Sequence, residues 1–256
     1  MKSLLAFLLV LLAAHAASSE QRKTFRDLQW EFPRVRTAAG EKDAVLRERF
    51  QAKGLPYPPY AILLRAFKKE ERLELWATAA AEKPYLLVYE YHICTSSGVL
   101  GPKRRFGDQQ VPEGFYELDW FNPQSNFYLS MHISYPNASD RILGSRQNLG
   151  GDIFLHGNCA SIGCIPITDD GVKEVYWLAV LVHSQGQAHL PIEIFPARLT
   201  DAGLRSLAAT HQNQLELVSF WSNLKEGYDF FENGHVPPHV MTRNDGSYAF
   251  NHFNQK

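Results

Sequence analysis

The chain has 256 residues, 45% of them hydrophobic and 21% charged, which suits one large globular domain with an extension. Its formal net charge is −1. No global positive field exists to hold nucleic acid or an anionic lipid surface, and those partner classes are set aside.

Lys2 and the apolar run Leu4 to Ala14 are followed by Ala14-His15-Ala16 and then by the polar Ser18-Ser19-Glu20. The run is too short to span a bilayer as a mature helix, and the small residues suit a signal peptidase. Residues 1–18 are therefore expected to be a cleaved secretory signal, leaving no stable membrane anchor. Past it, Val45, Leu46 and Phe50 suggest a short helix over 44–50, closed by Gly54. Pro56, Pro58 and Pro59 make a stiff linker. The expected organisation is a 19–59 N-terminal segment and linker, a 60–197 catalytic domain and a 198–256 C-terminal extension.

From residue 61 the pattern turns to strands, over 61–67, 73–79, 85–94, 114–119, 127–135, 152–155 and 190–195. Residues 137–151 carry no hydrophobic period and read as a loop. Thr168-Asp169-Asp170 can cap a helix whose apolar face is Val172, Val175, Tyr176 and Ala179. Two further helical patterns occupy Leu204 to Ala208 and Leu217 to Phe231. Strands in succession with few helices between them predict a mainly β, α+β fold: a sandwich or barrel with covering helices and a C-terminal helical extension.

The chemistry concentrates in Ile153 to Pro166, which reads IFLHGNCASIGCIP. An apolar strand delivers His156 into a loop, Gly163 immediately precedes Cys164, and a helix follows. A thiol attacks as thiolate, and a neighbouring imidazole lowers its pKa and takes its proton. Gly163 allows close backbone approach to a carbonyl, and N–H groups near Gly163 and Cys164 can hold an oxyanion.

The segment resembles the active-site motif of the L,D-transpeptidase (YkuD-type) family, a His-Gly followed by Ser-x-Gly-Cys. It is most similar to the YafK-like murein L,D-transpeptidase branch, whose shorter His-Gly-x-Cys-x-Ser-x-Gly-Cys form matches His156 to Cys164 position by position. Gly101-Pro102-Lys103-Arg104, Val111 to Tyr116, Asn137 to Asp140 and Phe220 to Phe231 extend the resemblance over roughly residues 60 to 250. The resemblance implies that Cys164 attacks a diaminopimelate carbonyl in a peptidoglycan stem peptide and expels the terminal residue. It implies His156 as general base and acid, and Gly157, Ser161 and Gly163 as oxyanion and substrate-binding residues. It implies no metal or organic cofactor, and a periplasmic location. Two positions depart from the wider family: Ile162 replaces a His, and Pro166 replaces an Arg or Asn. They leave transfer and hydrolysis, which would release a wall-linked peptide or protein, both open.

Competing readings exist for several residues. An odd cysteine count leaves one thiol unpaired, so Cys159 is either a second functional thiol or half of a disulfide with Cys94. His156, Cys159 and Cys164 with His92 or Cys94 are alternatively zinc ligands in a non-catalytic wall-binding module. His132 either orients substrate or is a satisfied strand histidine. Lys103-Arg104-Arg105 either attracts substrate carboxylates or is a solvated loop. His235, His239 and His252 have no ligand spacing.

Overall fold

A computed structural model describes residues 23–252. The expected signal at 1–18 lies outside the described residues.

The central strand is β1 (Ala61–Phe67), all seven residues of which are buried. Burial on both faces requires cover on both faces, and helices provide it. The sheet runs β3-β2-β1-β8-β4-β5-β6-β7. Its other strands are β2 (Arg72–Thr78), β3 (Leu86–His92), β4 (Gly114–Asn122), β5 (Ser130–Ile133), β6 (Phe154–His156), β7 (Ile165–Pro166) and β8 (Leu190–Phe195). β1 pairs with β8 in parallel and so does β6 with β7. The remaining pairs in this sheet are antiparallel.

On one face lie α1 (Phe25–Trp30), α2 (Pro33–Ala52) and α4 (Thr168–Ser184). Val35, Ala38, Leu46 and Phe50 of α2 share a core with Ile62 and Leu64 of β1 and with Val172, Val175 and Tyr176 of α4. Each large apolar side chain so buried contributes about 1.5–3 kcal/mol by removal from water. On the other face lie α5 (Asp201–Thr210), α6 (Leu215–Gly234) and the hairpin of β9 (His239–Thr242) and β10 (Tyr248–Asn251). Trp221, Leu224, Tyr228 and Tyr248 pack there on Phe67 and Phe195.

Two buried cations join this second layer to the sheet. Arg65 donates to Glu193 at 2.8 Å and to Glu232 at 2.7 Å. Lys68 donates to Glu113 at 2.8 Å and to the Gly101 and Val111 carbonyls, both at 2.9 Å. The other Glu113 oxygen accepts from the Trp221 indole at 2.7 Å, so β1, the 98–114 loop and α6 meet at one carboxylate.

The mixed α+β architecture is the one expected. Its β part is one large curled sheet, and helices on both faces do the covering. Local elements differ from the sequence reading. The helix read at 44–50 is the end of α2, which starts at Pro33, a residue suited to the first helical turn. Residues 138–143 form α3 (Ala138–Leu143) inside the span read as a loop, because Asn137 and Asp140 cap it reciprocally. The strand read at 127–135 shortens to Ser130–Ile133. The β9–β10 hairpin, turned by Asp245-Gly246, was not expected.

Candidate active site

His156 ends β6, paired with Ser130 of β5 on one side and with Pro166 of β7 on the other. It is buried, and its ring stacks on Phe127 with centroids 4.5 Å apart. Its Nδ1 lies against the Gly157 carbonyl. A carbonyl only accepts, so the hydrogen sits on Nδ1 and the Nε2 lone pair is left free. Among the described residues Nε2 has no hydrogen-bond partner. Burial holds the imidazole below its ordinary value of 6.5, so it is neutral near pH 7.

Gly157 is a close-approach position. A Cβ there would lie 2.6 Å from Asp169 Oδ1 and 2.8 Å from the Phe127 carbonyl. Asp169, in the first turn of α4, accepts the Asn158 N–H at 2.8 Å. The next residue, Cys159, is disulfide-bonded to Cys94, with Cα atoms 5.5 Å apart. The Cys94 N–H also donates to the Pro166 carbonyl at 3.0 Å. The loop between β6 and β7 is thus fastened to α4 and to the segment after β3.

Cys164 is the free cysteine and is half-buried. Its Sγ accepts the Phe154 N–H at 3.4 Å and faces the Asp152 carbonyl at 3.7 Å. Gly163 before it has φ +126°, a conformation that favours glycine. Ser161 Oγ donates to the Cys164 carbonyl at 2.8 Å and accepts the Gly163 N–H at 3.2 Å. That use of the Gly163 N–H leaves the Cys164 N–H as the available donor. Ile167 N–H points into β6, onto the His156 carbonyl at 3.0 Å.

The structure therefore places His156 at the end of β6 and Cys164 immediately before the adjacent β7. No hydrogen bond joins them among the described residues. The thiol consequently differs from the expectation of an imidazole-depressed pKa. Burial raises it above its ordinary 9.0, the Asp152 charge adds to the rise, and the Phe154 N–H offsets part of it. Near pH 7 the thiol is thus protonated and the imidazole neutral.

Other candidates resolve differently. Lys103 is buried, donating to Asp108 at 2.6 Å and to the Arg105 carbonyl at 3.0 Å. Arg104 donates to Asp140 at 2.9 Å and lies over the Phe220 ring. These two cations hold loops together, while Arg105 is exposed. His132 hydrogen-bonds Asp119 at 2.6 Å. His235 caps α6 in a left-handed conformation, and His252 packs on Phe230. The disulfide engages both Cys94 and Cys159, which overturns the zinc set drawn from them. Among the described residues no group of three or more His, Cys, Asp or Glu could hold a metal ion. Phe127 and Asp169 support the site without having been singled out. Asp169 was visible only as a helix-cap residue.

The strand-end His156 and the free Cys164 beside β6 form a pairing of imidazole and thiol compatible with acyl transfer. The YkuD family model, described as an L,D-transpeptidase catalytic domain, matches residues 68–183. The Escherichia coli K12 protein named "Putative L,D-transpeptidase YafK" is 36% identical over 185 residues, covering 72% of this chain and 71% of that protein. The protein of the same name from Escherichia coli O157:H7 matches equally. Among solved structures, the helical cell shape determining protein Pgp2 of Campylobacter jejuni is 17% identical, with a TM-score of 0.41, over 72% of this chain and 73% of that one. Bd1075 of Bdellovibrio bacteriovorus is 20% identical, with a TM-score of 0.38, over 53% of this chain and 47% of that one. The chain belongs to the YkuD-type L,D-transpeptidase family, and membership supports a peptidoglycan-related transpeptidase role. Among the described residues no helix is long and apolar enough to cross a membrane.

Proposed function

We propose that this chain is an exported cysteine acyltransferase of the periplasm that acts on peptidoglycan stem peptides. Cys164 attacks the carbonyl of a diaminopimelate residue, and the terminal residue leaves as an amine. The resulting thioester passes to an amine of a neighbouring stem. His156 takes the thiol proton through Nε2 and returns it to the leaving amine. The Cys164 N–H receives the oxyanion, while Ser161 and Gly163 hold the turn that presents it. The observation that carries this reading is the His156 tautomer: the Gly157 carbonyl fixes hydrogen on Nδ1 and leaves Nε2 to act as a base beside a free thiol.

A second reading is hydrolysis of an amide at diaminopimelate, which releases a wall-linked peptide or protein. It is favoured by Ile162, 80% exposed, and by the buried Pro166, neither of which offers a polar hold for an amine acceptor. Mass spectrometry of defined tetrapeptide muropeptides incubated with residues 21–256, beside a Cys164→Ala control, tests both. Cross-linked dimers or exchanged terminal residues, absent from the control, are expected of the transferase. Shortened monomers alone replace it with the hydrolase, and products that persist in the control sink both.

A further inference from the structure

The nucleophile stands at the end of a row that crosses the sheet. Trp120 of β4 lies opposite His132 of β5, and His132 lies opposite Phe154 of β6. Cys164, just before β7, lies beside Phe154, whose N–H reaches its sulfur at 3.4 Å. Partners in register share a sheet face. The rings agree: Phe154 is 6.0 Å from Trp120 and 5.2 Å from His132, both edge-on. Trp120 is 54% exposed, so this row faces solvent rather than the core.

The β4–β5 register shifts between Leu118 and Trp120, which makes Asp119 the extra residue of a bulge. Bulges re-aim side chains, and this one sets the Asp119 carboxylate on His132 at 2.6 Å. A carboxylate only accepts, so His132 carries a hydrogen on Nδ1 and holds the Asp119 carboxylate in place. The second Asp119 oxygen has no partner among the described residues. An anionic oxygen and an exposed indole therefore stand together beside the imidazole. The carboxylate and the indole favour a cation with N–H donors. An anion would be repelled by Asp119, and a purely apolar group would strip water from the pair without replacing its hydrogen bonds.

The span fits one group of the stem peptide. His132 lies two strands from Cys164, roughly 10 Å at ordinary strand spacing. The far amine of a diaminopimelate side chain lies roughly 7 Å from the acyl carbon when extended, and the imidazole reaches in from its own strand. We propose that Asp119, His132 and Trp120 form an ammonium subsite that holds the side-chain amine of the donor's diaminopimelate while Cys164 attacks its other end. This rests on the stem-peptide reading above and adds the element that selects the donor.

The test isolates the first half-reaction, so that loss of acceptor function does not confuse it. A tetrapeptide muropeptide with a free side-chain amine and the same compound acetylated on that amine are each mixed with the protein below saturation. Acyl-enzyme on Cys164 is followed by intact mass, with iodoacetamide alkylation of Cys164 as the control for an intact thiol environment. The wild type is expected to acylate about tenfold more slowly with the acetylated donor. Asp119→Asn, a near-isosteric surface change, is expected to slow the free-amine donor by a similar factor and to stop discriminating. Trp120→Ala is expected to discriminate less, with iodoacetamide rates held within about twofold in both variants. A wild type that treats the two donors alike overturns the subsite, as does an Asp119→Asn protein that still discriminates fully. No acyl-enzyme from either donor, with normal alkylation, sinks the stem-peptide reading itself and the subsite with it.

Discussion

The neutral pairing of Cys164 and His156 has a measurable consequence in the reactivity of the free thiol. An ordinary thiol with a pKa of 9.0 is about 1% thiolate at pH 7, and burial and Asp152 push Cys164 above that value. Alkylation by iodoacetamide should therefore climb about tenfold per pH unit from pH 6 to 9, without a plateau. A preformed thiolate–imidazolium pair would give a plateau well below pH 7. Because Cys94 and Cys159 are bonded to each other, the label reports on Cys164 alone. His156→Gln should leave this profile nearly unchanged, since no hydrogen bond links the imidazole to the sulfur. The same variant should lower acylation by a peptide substrate by about 10²–10⁴-fold, the ordinary contribution of a positioned base. Substrate acylation in the wild type should fall off in acid only below pH 6.5, because burial lowers the His156 pKa and the imidazole must be neutral to act. Stopped-flow or quenched alkylation across this range measures the first effect, and intact mass the others. An alkylation plateau below pH 7, abolished in His156→Gln, would refute the neutral-pair argument.

Breaking the disulfide with Cys94→Ser and Cys159→Ser together should cost about 4 kcal/mol in the chain-entropy view, as the bridge closes a separation of 65 residues. Urea unfolding of this double variant against the wild type measures it, and an unchanged midpoint would contradict the assigned bridge. Gly157→Ala should cost about 1–3 kcal/mol through crowding of Asp169 and the Phe127 carbonyl. It should also slow acylation, because the Gly157 carbonyl that orients His156 must move, and a variant with wild-type stability and rate would refute that geometry.

Strands β1 and β8 were legible to the residue, because each is an apolar run broken by a single charge, Arg65 or Glu193, and ended by Lys68 or Pro196. Helix α2 was only half legible, since its buried stripe of Val35, Ala38, Leu46 and Phe50 is interleaved with Arg, Glu and Lys on the exposed side. The hairpin β9–β10 carries its Asp-Gly turn openly, but its strands have four residues each and are too short to show alternation. His156 and Cys164 were legible as candidates because strand, loop and cysteine are contiguous in the chain. The supporting residues were not. Phe127 reaches His156 across the sheet, and Asp119 reaches His132 through a bulge, which no spacing in a single sequence announces. The sequence also suggested a depressed thiol, because proximity along the chain says nothing about which atoms of His and Cys meet.

The surroundings of Cys164 differ on its two sides, and that asymmetry bears on what receives the acyl group. Toward β5 and β4 lie the polar groups of Asp119 and His132. Beyond β7 the edge is covered: the Cys94 N–H takes the Pro166 carbonyl, and proline offers no N–H of its own. A peptide cannot extend the sheet there. The loops before β4 and β7 expose Val99 at 69%, Phe106 at 70% and Ile162 at 80%. None of these can hydrogen-bond a charged amine. On the proposed reading the donor has a defined anchor, whereas these exposed apolar side chains offer an amine acceptor none, which favours hydrolysis as the second reading.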